Sequence, residues 1–122
     1  ALDAALRSND GQFAQLEKVV SRYPGTFVAS LAAEDMAGLM QDGNVAPAGA
    51  SAHLAAMESA RDRCADLTAK RQLQLEVGHI YQREMDAPDK ARECYHLVAE
   101  NDNAVLARLA KQSLAELGTP QR

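Results

Sequence analysis

Apolar positions along the chain recur every three or four residues, with polar positions filling the faces between them. The clearest stretch runs from Arg71 to Asn103. Leu73, Val77, Ile80 and Tyr81 follow an i, i+4, i+7, i+8 rhythm, which places them on one face of a helix. That helix should stop near Met85, because Pro88 cannot continue it. Pro88 suits the first turn of the next helix, where its missing N–H is harmless. There Ala91, Cys94, Tyr95 and Val98 follow i, i+3, i+4, i+7. Gly78 interrupts the first stripe. A glycine inside a helix costs about 1 kcal/mol relative to alanine, so the position predicts a close crossing by a neighbouring helix.

The same reading extends to the whole chain. Leu2, Ala5 and Leu6 predict a short helix over 1–7, ended by the turn cluster Ser8-Asn9-Asp10-Gly11. Phe13, Leu16, Val20 and Tyr23 predict a second helix, ended by Tyr23-Pro24-Gly25-Thr26, with Thr26 as N-cap of the third. The third spans about Phe27 to Gln41, ended by Asp42-Gly43-Asn44, and Asn44 to Ala50 makes the longest loop. A fourth helix over Ser51 to Leu67 carries His53, Met57, Ala60, Cys64 and Leu67 on one side. Its Glu58, Arg61, Asp62, Arg63 and Asp66 read as a solvated mixed-charge face. Thr68 then caps the fifth helix, and Pro88 opens the sixth. Asp102 caps a last helix over Asn103 to Leu117, with a stripe of Leu106, Leu109, Ala110, Ser113 and Leu117. The expectation is an all-α single domain over 1–122, with about seven helices stacked as antiparallel hairpins.

The central stretch resembles the tetratricopeptide repeat. The family pattern W-x2-L-G-x2-Y, then A-x3-F, then P is similar to Gln74-x2-Val77-Gly78-x2-Tyr81, then Ala91-x3-Tyr95. Gln74 replaces the tryptophan, and the gap from Tyr81 to Ala91 is one residue longer than the family's. Asn103 stands near the closing proline's place. Ala32, Ala33, Met36 and Met40 repeat, 45 residues earlier, the small-small-large-large order of Val77, Gly78, Tyr81 and Met85. The helix, Tyr-Pro-Gly-Thr, alanine-rich helix order also resembles bacterial tetratricopeptide-like proteins, among them ones that serve the cell envelope. The resemblance implies an α-solenoid with a right-handed superhelical stack.

Composition narrows the function classes. The chain has 122 residues, enough for one domain with a real core. Its 24 alanines and 4% aromatics favour closely packed helices. A net charge of −4 leaves no basic stripe for nucleic acid. No apolar run reaches the length of a membrane span, so direct membrane insertion of this segment is not expected. The start at alanine rather than methionine reads as a fragment of a longer protein, such as the periplasmic part of an anchored or secreted bacterial one. The compartment stays open, because Cys64 and Cys94 both fall on apolar faces and read as packed free thiols.

Candidate chemistry is thin. Cys94 and His96 point about 200° apart on a helix. His79 and Arg83 share a face, but no third ligand joins them at metal spacing. No phosphate loop or H-E-x-x-H motif occurs. The expectation is therefore no catalysis, no metal and no cofactor.

The tetratricopeptide resemblance implies instead a concave groove, lined by first helices, that receives a peptide or protein partner. Its positions would be Gln72, Leu75, His79, Gln82 and Arg83 in the central repeat. Phe27, Ser30 and Glu34 match them in the repeat before, and Ala107 and Lys111 in the last helix. The expected partner-binding set is Glu34, Gln72, Leu75, His79, Gln82, Arg83 and Lys111. The family's lysine–asparagine clamp for a peptide carboxylate is absent from these positions. The alternative is a structural domain that self-associates within a membrane-anchored bacterial envelope protein.

Overall fold

A computed structural model describes residues 2–40, 49–100 and 103–118, with side chains from residue 11 onward through 117. Six helices account for most of these residues: α1 Leu2–Arg22, α2 Phe27–Met40, α3 Ala50–Arg63, α4 Leu67–Arg83, α5 Pro88–Ala99 and α6 Ala104–Gly118. No strand occurs among the described residues. The expected helix end at Asp42-Gly43-Asn44 and most of the loop from Asn44 to Ala50 lie outside them.

The helix count differs from the expected seven because α1 runs unbroken through Ser8-Asn9-Asp10-Gly11. Those four residues are poor helix formers, costing together about 3 kcal/mol against four alanines. None of them is proline, so none removes a helical bond or clashes with the preceding turn. A break would also leave up to eight backbone groups to be capped afresh. Phe13 and Val20 anchor the second half of α1 in the core, whereas Tyr23, expected on the same stripe, is exposed.

Caps set the other boundaries. Thr26 accepts the Ala29 N–H at 3.1 Å and donates to the Tyr23 carbonyl, as expected of an N-cap. The cap of α4 is Asp66 rather than Thr68. Its carboxylate accepts the Ala69 N–H at 2.8 Å, and the Ser21 hydroxyl donates to it. Glu17 of α1 adds a second anchor, accepting the N–H groups of Ala65 and Asp66 at 2.7 and 3.0 Å. These bonds end α3 at Arg63 and put Leu67 at the start of α4, where it is exposed. Asn103 caps α6, accepting from Val105 and Leu106. The expected cap, Asp102, lies outside the described residues. Pro88 occupies the first turn of α5 as its sequence position predicts.

Each helix packs on the next in sequence, and α4 packs on all five others. Its buried residues therefore go nearly round the helix: Ala69, Gln72, Leu73, Gln74, Leu75, Val77, Gly78 and Ile80. The α3–α4 pair is antiparallel, since His53 meets Glu84 at one end and Arg61 meets Gln74 at the other. The α4–α5 pair is antiparallel too, with Tyr81 beside Lys90 and Gly78 against Cys94 and Tyr95. One core lies among α1 to α4 around Met36, Met57 and Leu73. A second lies among α4, α5 and α6 around Tyr95, Val98 and Leu106.

The mixed-charge face of α3 is less solvated than its composition implies. Arg61 donates to the buried Gln74 carbonyl at 2.9 Å, and the Arg63 guanidinium sits 4.4 Å over the Phe13 ring. Asp62 stays exposed as expected, pairing with Arg61 at 3.0 Å.

Candidate functional site

The stripe of α4 that faces α2 and α6 borders a cavity of about 280 Å³. Four expected groove residues meet there: Gln72, Leu75, His79 and Arg83. Ser30 of α2 and Gln112, Ser113 and Glu116 of α6 complete its polar lining. Gly25 closes one end. It has a positive φ of 78°, and a Cβ there would stand 2.5 Å from Val105 and 2.7 Å from Leu109. Its N–H donates to Gln72 at 2.8 Å. The turn between α1 and α2 is thus pressed onto α6 and tied to α4.

Glu76 organises the polar groups. Its carboxylate accepts from Ser30 at 2.9 Å and from Gln72 at 3.1 Å, and lies 3.6 Å from His79 Nδ1. Burial pushes this carboxyl up, but His79, Ser30 and Gln72 together outweigh it and hold Glu76 below the ordinary carboxylate value. The other imidazole nitrogen of His79 lies 3.4 Å from the Ser113 hydroxyl. The His79 ring is tilted against Tyr95, with centroids 5.6 Å apart, and Tyr95 donates to Gln82 at 2.5 Å. One network therefore links α2, α4, α5 and α6.

Three expected positions are placed otherwise. Glu34 lies outside this cavity, in a second groove of about 420 Å³ between α1 and α2. Gln82 is partly buried and engaged by Tyr95. Lys111 is exposed on α6 and does not line the cavity. Two of the four that do converge are not open to a partner: Gln72 is 1% exposed and Leu75 is 2% exposed. Leu75 belongs to the second core, because its helix face is covered by both α5 and α6. The reachable part of the site is the rim formed by His79, Arg83, Gln112 and Glu116.

Sequence reasoning missed Glu76 and Ser113 as site residues. Glu76 was visible, standing four residues after Gln72 and three before His79 on the same stripe. Ser113 read as one polar residue in an apolar stripe, and only the α4–α6 packing gives it a partner.

Both thiols are shifted towards the protonated form. Burial pushes Cys64 up to about 12, and the Glu17 carboxylate adds to the effect. Burial also raises Cys94, although Arg61 and Gln74 oppose it. Both are free and buried. Among the described residues, no group of three or more His, Cys, Asp or Glu side chains could hold a metal ion, and no helix is long and apolar enough to cross a membrane.

No family model, no curated protein and no solved structure matches the chain.

Proposed function

We propose that the chain is a non-catalytic protein-interaction module of the tetratricopeptide-like class, which receives a peptide or protein partner at the face shared by α2, α4 and α6. The observation that carries this reading is the convergence of Ser30, His79 and Ser113 from those three helices on one cavity. Helices two apart in sequence lie side by side there, as first helices do in a stacked array. The Gly78–Tyr95 crossing supports the class, since both residues belong to the pattern that carries the resemblance. The α1–α4 contact is a departure, because a simple stack does not bring helices three apart together.

A hydrolytic role is disfavoured by the geometry around His79. The hydroxyl–imidazole–carboxylate order of Ser113, His79 and Glu76 has the sequence of a nucleophile relay. Its distances, 3.4 and 3.6 Å, are longer than working proton-transfer contacts of roughly 2.6–3.2 Å. Ser113 is buried within α6, where the backbone N–H groups beside it are committed to the helix and offer no oxyanion site. The network ties helices together.

Selection from a displayed peptide library on the immobilised chain tests the reading. Enriched peptides should lose binding to Arg83→Glu and keep it to Glu100→Lys, on the exposed end of α5. Peptides that bind both variants equally would place the interface elsewhere.

A second reading, self-association, is favoured by α2. Phe27 is 77% exposed and Leu31 46%, one turn apart on the same face, with Val28 beside them. Adjacent exposed apolar side chains of this size mark contact surfaces. Sedimentation over a concentration series checks it.

A further inference from the structure

The two ends of the helix stack are complementary. In the interior, α2 lies against both α3 and α4, and α4 lies against both α5 and α6. Each of these helices fills the seam between the next two. The α4 helix packs on both α1 and α2, and a groove lined only by residues of α1 and α2 remains between them. It is the 420 Å³ groove, walled by Leu16 and Val19 of α1 and by Glu34, Asp35, Gly38 and Leu39 of α2. Both of its charged residues are acidic. Gly38 has nothing among the described residues within 4 Å of where a Cβ would be, and glycine is among the poorest helix formers.

The other end of the stack is α6. Its outward face carries Ala104, Arg108, Lys111 and Ala115, all exposed, at i, i+4, i+7 and i+11. That is a three-turn stripe with an alanine at each end and two cations in its middle. It has the charge opposite to Glu34 and Asp35.

We infer that α6 of one copy docks in the α1–α2 groove of a second copy, so that the helix stack continues from chain to chain. Arg108 and Lys111 face Glu34 and Asp35 across the joint, and the alanine at one end of the stripe packs towards Gly38 and Leu39. The joint is heterologous, head to tail, so each added copy leaves one groove and one α6 free to extend the assembly. The inference rests on the stacked-hairpin reading and gives the self-association reading a geometry. It leaves the α2–α4–α6 cavity as a separate site, so peptide selection at that cavity tests the module reading independently.

Two charge reversals test it, Glu34→Lys with Asp35→Lys in the groove and Arg108→Glu with Lys111→Glu on α6. All four positions are exposed, and far-ultraviolet circular dichroism checks that both variants keep the helical fold. Sedimentation velocity at low salt should show the unaltered chain growing beyond a dimer as concentration rises. Each variant alone should weaken association tenfold or more. Mixed together, the two variants should recover it, because every groove then finds an α6 of opposite charge. Three results would overturn the inference: an unaltered chain that stays monomeric, growth that stops at a closed dimer, or variants that associate as the unaltered chain does. The last of these would leave self-association standing on another surface, such as Phe27 and Leu31.

Discussion

Gly78 and Tyr95 cross so closely that a Cβ on Gly78 would lie 2.6 Å from Tyr95 Cε1 and 3.2 Å from the Cys94 Cβ. The Tyr95 ring is fully buried and its hydroxyl is held by Gln82, so the ring has no free direction in which to retreat. Gly78→Ala gains helix propensity of about 1 kcal/mol and loses more to overpacking, for a net destabilisation of roughly 1–2 kcal/mol. Gly78→Leu should cost about 3 kcal/mol or more. Chemical denaturation of both variants checks this, and an alanine variant as stable as the parent would show that the α4–α5 crossing is looser than the structure has it.

Gly25 predicts a contrast with Gly11. Gly25 has φ at 78° and its missing Cβ faces Val105 and Leu109, so Gly25→Ala suffers both backbone strain and a clash with α6. A loss of roughly 2–4 kcal/mol is expected. Gly11 lies inside α1 with open space around it, so Gly11→Ala should stabilise by up to about 1 kcal/mol. Thermal melts of the two variants should move in opposite directions.

These glycines also show what was legible in the sequence. Gly78 announced its crossing because a helix-disfavouring residue stood inside an unambiguous apolar stripe. Gly25 announced a turn, but its seat on α6 depends on a packing more than 75 residues away in the chain, which local spacing does not encode. Ser8-Asn9-Asp10-Gly11 misled because turn composition is a weak local bias, and a continuous hydrogen-bond ladder outweighs it. The groove positions rest on the tetratricopeptide resemblance, carried along each helix by spacing. Spacing places Leu75 and His79 on one stripe but does not say how deeply the neighbouring helices cover it.

Acid should weaken the Glu76 network. The folded pKa of Glu76 lies below its ordinary 4.5, so the folded state favours the carboxylate. Its contribution is complete above pH 4.5 and is lost as pH falls through the depressed folded value. Glu76→Gln keeps the shape but removes the charge that receives Ser30, Gln72 and His79. It should cost roughly 1–3 kcal/mol at pH 7, a difference that shrinks toward pH 3. Urea midpoints of parent and variant across this range give the measurement, and a constant gap between them would mean that the charge on Glu76 is not what holds the network.

Thiol reactivity should report folding. Burial raises both cysteines, Cys64 to about 12, so the reactive thiolate is disfavoured in the folded chain. A disulfide-exchange reagent should react slowly with the native protein and find two thiols at once in denaturant. Rapid reaction of either thiol under native conditions would show that the α3–α4 junction at Cys64 or the α4–α5 crossing at Cys94 opens readily.

The depth of Leu75 decides which variants can probe the α2–α4–α6 face. Leu75 is packed with Ala91, Tyr95, Val98 and Leu106, so Leu75→Glu would put a charge in the second core with no partner to offset it. A loss of about 3 kcal/mol or more is expected, a large share of the stability of a domain this size. Lost partner capture in that variant would report unfolding. Arg83 is exposed on the rim of the same cavity, so Arg83→Glu reverses a charge at the mouth with no core side chain disturbed. Circular dichroism should show helicity reduced in Leu75→Glu and intact in Arg83→Glu, while capture of a selected peptide falls at least tenfold in both. A peptide that binds Arg83→Glu normally but fails on Leu75→Glu would show that the face contributes through the fold alone and that the partner sits elsewhere.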